Sequence, residues 1–310
     1  MHCARRWLGL ALAAGTACLA IAQTAQHEPL RPLPLRSEAD PVRAALGKRL
    51  YFDARLSGSG RHSCASCHDL NRGGADGKAL AAPLDGKGGA FNTPSIYNSV
   101  FNFRQSWIGR PVSLDQLPGH VDGGSWDAIV ARLGTDSALD AQFREVYGEA
   151  MNVAAVRDAF SHYLRTLVTP ARFDRYLRGD NGALNDDEKA GYARFKSYGC
   201  VACHQGINAG GNMFARLGVL RPLPGATGLG RFQLTGQEAD RAVYRVPGLR
   251  NVALTAPYFH DGSVATLEQA VDLMFTYQLG RSAPRHDKEL IIRFLGSLSG
   301  ERLPPPGAAP

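Results

Sequence analysis

The chain has no cysteine to spare for a disulfide. Of its six cysteines, Cys3 and Cys18 fall in an N-terminal leader and the other four sit in two short peptides. That excludes the disulfide-stapled scaffolds of small secreted proteins. Long apolar runs are also missing after residue 22, so nothing downstream reads as a membrane span. One-sided charge is missing too. There are 35 Lys and Arg against 28 Asp and Glu, a net +7 that becomes +5 once Arg5 and Arg6 leave with the leader. So small an excess does not point to nucleic acid, although it suits docking of an acidic redox partner. Strand-like alternation is scarce, whereas 35 Gly and 18 Pro supply long loops. These features predict a mostly α protein. Methionine is scarce as well: four in all, one of them the initiator.

Residues 1–22 read as a cleavable signal peptide. Arg5 and Arg6 precede the apolar stretch Trp7–Ala17, and Ala20-Ile21-Ala22 is a small-x-small cleavage site. An uncleaved anchor is the alternative. Residues 23–39 are Pro-rich and irregular, a tether. Helix signals follow. Asp40 with Pro41 starts a helix carrying Val42, Leu46 and Leu50. Asn152 caps a helix whose Val156, Phe160, Tyr163 and Leu167 share a face. Asn185 with Glu188, and Thr266 with Gln269, form capping boxes, and Asp287 caps the last helix.

The two remaining cysteine peptides are Cys64-Ala-Ser-Cys67-His68 and Cys200-Val-Ala-Cys203-His204. Each is a C-x-x-C-H, which attaches haem through two thioethers and sets the next imidazole under the iron. A zinc half-site is the bland reading of either peptide alone. Two copies behind a signal peptide favour two covalent haems c, with His68 and His204 as proximal ligands. Attachment of this kind in bacteria occurs outside the cytoplasmic membrane, so the periplasm is the expected compartment.

The halves also resemble each other. The haem peptides lie 136 residues apart. Downstream, Pro94 and Pro247, Asn98 and Asn251, Gly109 and Gly262, Leu114 and Leu267, and Gln116 and Gln269 match at a separation of 153, with Trp107 opposite His260. The reading is two cytochrome c-like domains related by internal duplication. The first spans 40–167, a linker 168–184, the second 185–300, and a tail 301–310.

The sixth ligand decides what each haem can do. Met274 follows the Thr266 cap on the helix face of Leu267, so its thioether is a candidate ligand opposite His204. Met213 is the rival, and a plain core methionine is the bland alternative. In the 153-residue register, position 274 falls on Val121, which cannot ligate iron. The haem on His68 is then open to a small molecule. Gln116, His120 and Asp122 are its candidate distal groups. Alternatively His120 closes the site as a ligand, or His120 and Asp122 are exposed loop residues. Trp107 is a candidate relay between the haems, or a packing residue.

These motifs carry a resemblance over residues 43–300. Leu46-Gly-Lys-Arg-Leu-Tyr-Phe-Asp53, Arg55-Leu-Ser-Gly-Ser-Gly60, Gly73-Gly-Ala-Asp76, Asn92-Thr-Pro94, Leu167-Val-Thr-Pro170 and Leu249-Arg-Asn-Val-Ala-Leu-Thr-Ala-Pro-Tyr-Phe-His260, with both haem peptides, resemble the bacterial di-haem cytochrome c peroxidases, a group that includes the MauG-type enzymes. The resemblance implies a low-potential peroxidatic haem on His68, a high-potential electron-entry haem on His204 and Met274, and Trp107 between them. It implies a calcium held by the Asn92 side chain and the carbonyls of Thr255 and Pro257. Two departures stand out. Ala81–Phe91 lacks the removable distal histidine of members that need reductive activation. The loop Leu117–Ser125 lacks the family's distal Glu, leaving Asp122 as the nearest acid.

The function expected is reduction of hydrogen peroxide with electrons from a small cytochrome c or a cupredoxin. A MauG-type oxidase of a partner protein's side chain and a non-catalytic di-haem electron carrier are the alternatives. A homodimer is compatible with the sequence but not indicated by it.

Overall fold

A computed structural model describes residues 28–81, 91–110, 125–224 and 228–302. The signal peptide, Leu114, Gln116, His120, Val121, Asp122 and most of the Ala81–Phe91 segment lie outside them. Among the described residues the chain is helical, with one antiparallel ribbon, β1 (Phe214–Arg216) on β2 (Val243–Arg245).

Four helices build the N-terminal half: α1 (Pro41–Phe52), α2 (Trp126–Leu133), α3 (Ser137–Tyr147) and α4 (Val153–Thr166). Asp40 Oδ1 accepts from the Val42 and Arg43 amides at 2.9 Å, and Pro41 has no N–H to waste, so α1 starts where the sequence predicts. Asn152 caps α4 by accepting from the Ala155 amide. Leu50, Tyr51, Ile129, Leu133, Phe143 and Leu164 are fully enclosed between these helices. Val42 departs from the expected stripe. It is 56% exposed, because α1 buries only its Leu46 and Leu50 face.

The C-terminal half repeats the scheme with α5 (Arg172–Leu177), α6 (Asp186–Ser197), the single turn α7 (Phe232–Thr235), α8 (Leu267–Leu273) and α9 (Arg285–Gly296). Its core centres on Phe173, Tyr192, Phe195, Phe294 and Leu298. Asn185 and Glu188 exchange both bonds of a capping box on α6. At α8 only half of the expected box is recorded, the bond from the Gln269 amide to Thr266 Oγ1. Asp287 is not a cap. It lies in the first turn of α9, where its carboxylate accepts from Arg194 Nε at 2.9 Å and the Tyr198 hydroxyl at 2.6 Å, and Pro284 holds the cap position.

One glycine contact occurs in both halves. A Cβ on Gly47 would lie 2.0 Å from the Ala159 carbonyl oxygen, and one on Gly191 would lie 2.0 Å from that of Leu290. Each glycine lets two long helices cross with their backbones touching. Gly191→Ala is expected to destabilise the protein by about 1–3 kcal/mol through overpacking. The check is a lower denaturant midpoint with an unchanged slope.

The halves meet through bonds that follow the 153-residue register. Asn98 (φ 58°) and Asn251 (φ 61°) both take the left-handed conformation that asparagine tolerates. Each donates its side-chain amide to the single buried Thr169 Oγ1 at 2.8 Å. The Asn92 amide donates to the His260 carbonyl and the Arg245 amide to the Trp107 carbonyl, both at 2.7 Å.

Two segments are more tightly held than their composition suggests. The stretch read as a tether is, from Glu28 onward, a strap on the C-terminal half. Leu30 and Leu33 are buried. Leu30 pairs with Gly206, and the Leu33 amide donates to Asp174 Oδ1 at 2.7 Å. The stretch read as a linker contains α5, whose Phe173 is fully buried. Asp174 is fully buried beside it and pairs at 2.7 Å with Arg250, itself only 4% exposed.

Candidate haem-binding sites

Both cysteine peptides fold alike. Each forms a short 3₁₀ turn, Cys64–Ser66 and Cys200–Ala202. The His68 amide then donates to the Cys64 carbonyl and the His204 amide to the Cys200 carbonyl, both at 2.9 Å. The curl holds both thiols and the imidazole of each peptide on one short stretch of chain. His68 Nδ1 lies 3.2 Å from the Gly74 carbonyl. Donation there fixes the tautomer that presents Nε2 as a ligand and makes it more basic. The Tyr51 hydroxyl donates to the His68 carbonyl and steadies the same turn.

Burial favours the forms that haem attachment needs. It moves His68 below the ordinary histidine range and His204 down to about 4, so both rings are neutral, as a ligating imidazole must be. It pushes the Cys64 thiol up to about 12 and the Cys200 thiol up to about 11. Among the described residues no group of three His, Cys, Asp or Glu is placed to hold a metal ion. Each peptide thus sets two thiols and a neutral imidazole close together, the groups that attach and ligate a haem c.

A cavity of about 580 Å³ opens beside the second peptide. That volume lies in the range of cofactor pockets, roughly 300–1,000 Å³. His204, Cys200 and Cys203 line it, and so does Met274. Among the described residues, buried His204 Nδ1 has no hydrogen-bond partner. Met274 opens a π-helical turn, Met274–Gln278, at the end of α8. Such turns are rare and concentrate at functional sites. Met213, the rival ligand, is not on the cavity wall. Its carbonyl accepts from the Val246 amide in the ribbon.

The same wall continues to the junction of the halves. Trp107 is 9% exposed and donates Nε1–H to the Asn92 carbonyl at 2.8 Å. Asn92 also donates its side-chain Nδ2 to the Lys78 carbonyl at 2.8 Å, so Oδ1 is the atom left to accept a cation. Thr255 and Pro257 line the cavity with it. An amide oxygen and two carbonyls are a donor set for a hard cation such as calcium.

Sequence reading missed three residues on this wall: Tyr244, Arg245 and the chemistry of His260. The register does pair Phe91 with Tyr244 and Asn92 with Arg245, but pairing alone assigns no role.

A family model for di-haem cytochrome c peroxidases matches residues 41–182. The cytochrome c551 peroxidase of Nitrosomonas europaea is 38% identical over 94% of this chain and 90% of its own length. The chain belongs to the di-haem cytochrome c peroxidase family. The cytochrome c551 peroxidase of Pseudomonas aeruginosa is 39% identical over 83% of this chain and 78% of its own. The cytochrome c peroxidase Ccp of Escherichia coli is 43% identical over 90% of this chain, which spans 63% of that relative's length. A solved MauG-like protein associated with microbial copper homeostasis superposes with a TM-score of 0.72 at 28% identity, covering 88% of this chain and 93% of the other. Membership makes the chain a peroxidase-type oxidoreductase with two haems.

Proposed function

We propose that this chain is a periplasmic hydrogen-peroxide reductase that takes electrons from a small cytochrome c or a cupredoxin. The observation that carries the reading is an asymmetry. Met274 and His204 share one cavity wall, while the register partner of Met274 is Val121. A thioether would close one centre, and valine at the matching position would leave the other open to a small molecule. The signal peptide supports the compartment. No helix among the described residues is long and apolar enough to cross a membrane.

Haem, covalently attached at each C-x-x-C-H, supplies the electron transfer and the cleavage of the peroxide bond. The chain's own groups set where each occurs. His68, its ring held through Nδ1 by the Gly74 carbonyl, would bind the haem iron through Nε2. His204 and Met274, on one cavity wall, would hold the other haem between them and keep small molecules from it. Trp107 is a short aromatic step between them. His120 or Asp122 moves a proton from one peroxide oxygen to the other, and Gln116 orients the molecule, in place of the absent Glu. Asn92, Thr255 and Pro257 hold a calcium that stiffens the junction. The overall reaction takes one peroxide, two electrons and two protons to two waters.

The missing histidine in Ala81–Phe91 favours a second reading, a MauG-type oxidase of a partner protein's side chain. Ferric electron paramagnetic resonance and stopped-flow mixing separate the readings. The peroxidase is expected to show one high-spin and one low-spin haem, and its peroxide-treated form to be quenched by a reduced small cytochrome. Two low-spin haems would leave an electron carrier. A long-lived oxidised form that ignores the donor would favour protein oxidation.

A further inference from the structure

Arg245 is a buried cation without an anion. It is 4% exposed, and no Asp or Glu among the described residues pairs with it. Its recorded side-chain bonds run to neutral oxygens, Nε to the Ser106 carbonyl at 2.9 Å and Nη1 to Asn102 Oδ1 at 3.3 Å. Burial alone lowers its guanidinium, to about 10. Arg250, equally buried, has Asp174 at 2.7 Å. Buried charges are ordinarily paired, because desolvation without a partner is costly. Arg245 lies on the wall of the His204 and Met274 cavity.

Two neutral donors share that wall. Tyr244 is 6% exposed and His260 5% exposed, and their rings stack at 4.1 Å. Among the described residues, buried Tyr244 Oη and His260 Nδ1 have no hydrogen-bond partner. A fork of guanidinium N–H groups beside a phenol and an imidazole is suited to a carboxylate.

We propose that Arg245 receives a carboxylate of the haem held by His204, with Tyr244 and His260 completing that group's hydrogen bonds. This rests on the di-haem reading above. The cation that stays uncompensated in the bare chain is neutralised when the cofactor is attached. Arg245 thereby acts as a positioning residue and as a determinant of potential. Its positive charge favours the reduced iron, and its pairing cancels a carboxylate charge that would favour the oxidised one.

The test uses the haem-loaded protein, with Arg245→Gln and Arg245→Lys. Haem is counted first by the pyridine haemochrome; fewer than two haems in the unaltered protein would sink the di-haem reading itself, separately from this proposal. Potentiometric titration then follows each haem. Arg245→Gln is expected to lower the midpoint potential of the His204 haem and leave that of the His68 haem in place. Arg245→Lys, which restores charge but not the fork, is expected to recover most of the potential. A Gln variant with an unchanged His204 potential would overturn the proposal, even if it were less stable. So would a shift confined to the His68 haem, or a Lys variant with the potential of the Gln variant. If the Gln variant does not load, a loaded Lys variant with near-normal potential supports the proposal. A Lys variant that also fails to load overturns it.

Discussion

Met274→Ala is expected to cut donor-driven peroxide turnover by roughly a hundredfold, because about 120 mV of lost potential is that factor for a one-electron couple. A methionine thioether opposite histidine raises a haem's potential. Without it, the His204 centre becomes a poor acceptor for electrons from a small cytochrome. His68 and its bond to the Gly74 carbonyl are untouched by the substitution. Peroxide should still react there in a single-turnover experiment with donor omitted. The two assays together distinguish loss of electron entry from general damage. An unaltered visible and near-infrared spectrum of the His204 haem in Met274→Ala would assign its ligand to another residue and remove the asymmetry on which the peroxidase reading stands. Met213, just before β1 and not on the cavity wall, is expected to be silent in the same assays.

Asp174→Ala is expected to cost about 3–5 kcal/mol of stability, the usual penalty for orphaning a buried charge. Asp174 is fully enclosed, and three segments depend on it. It accepts from the Leu33 amide, the Ala171 amide and Arg250 Nη1, each at 2.7 Å. Its removal strands Arg250 inside the protein and releases the strap. Denaturant unfolding measures the first effect, and faster proteolysis near residues 28–36 reports the second. Replacing both partners, Asp174→Leu with Arg250→Met, should recover much of the loss, since apolar side chains leave no stranded charge. A single mutant as stable as the unaltered protein would show that solvent reaches Arg250.

Much of this architecture is written locally in the chain. Asp40, Asn152 and Asn185 cap the helices they were expected to cap, because a cap needs only one side chain and the next three amides. Met274 was singled out from helix spacing, and it lines the same cavity as His204. Asn98 and Asn251 were legible as register partners, although nothing announced that both would bond to Thr169. What stayed hidden is non-local. Leu30 and Leu33 sit among prolines without helical or strand period, so no pattern marks them as core. A buried Arg245 looks in sequence like any surface arginine. Asp174 and Arg250 are 76 positions apart, and charge pairing over that span leaves no local trace. Asp287 misled because an acid near a helix start reads as a cap, while Arg194 and Tyr198 claim its oxygens. The distal groups Gln116, His120 and Asp122 rest on sequence alone.

The strap also fixes an order of events. Arg31 offers its carbonyl to Arg250 Nη2 across 219 positions, and the Leu33 amide waits for an acid 141 positions downstream. These residues are made early, and their partners follow 141 and 219 positions later. Contacts so distant cost loop entropy early and reward it only late. The amino-terminal end must therefore stay loose while the first helical half forms, and it docks only once residues near 250 have been delivered.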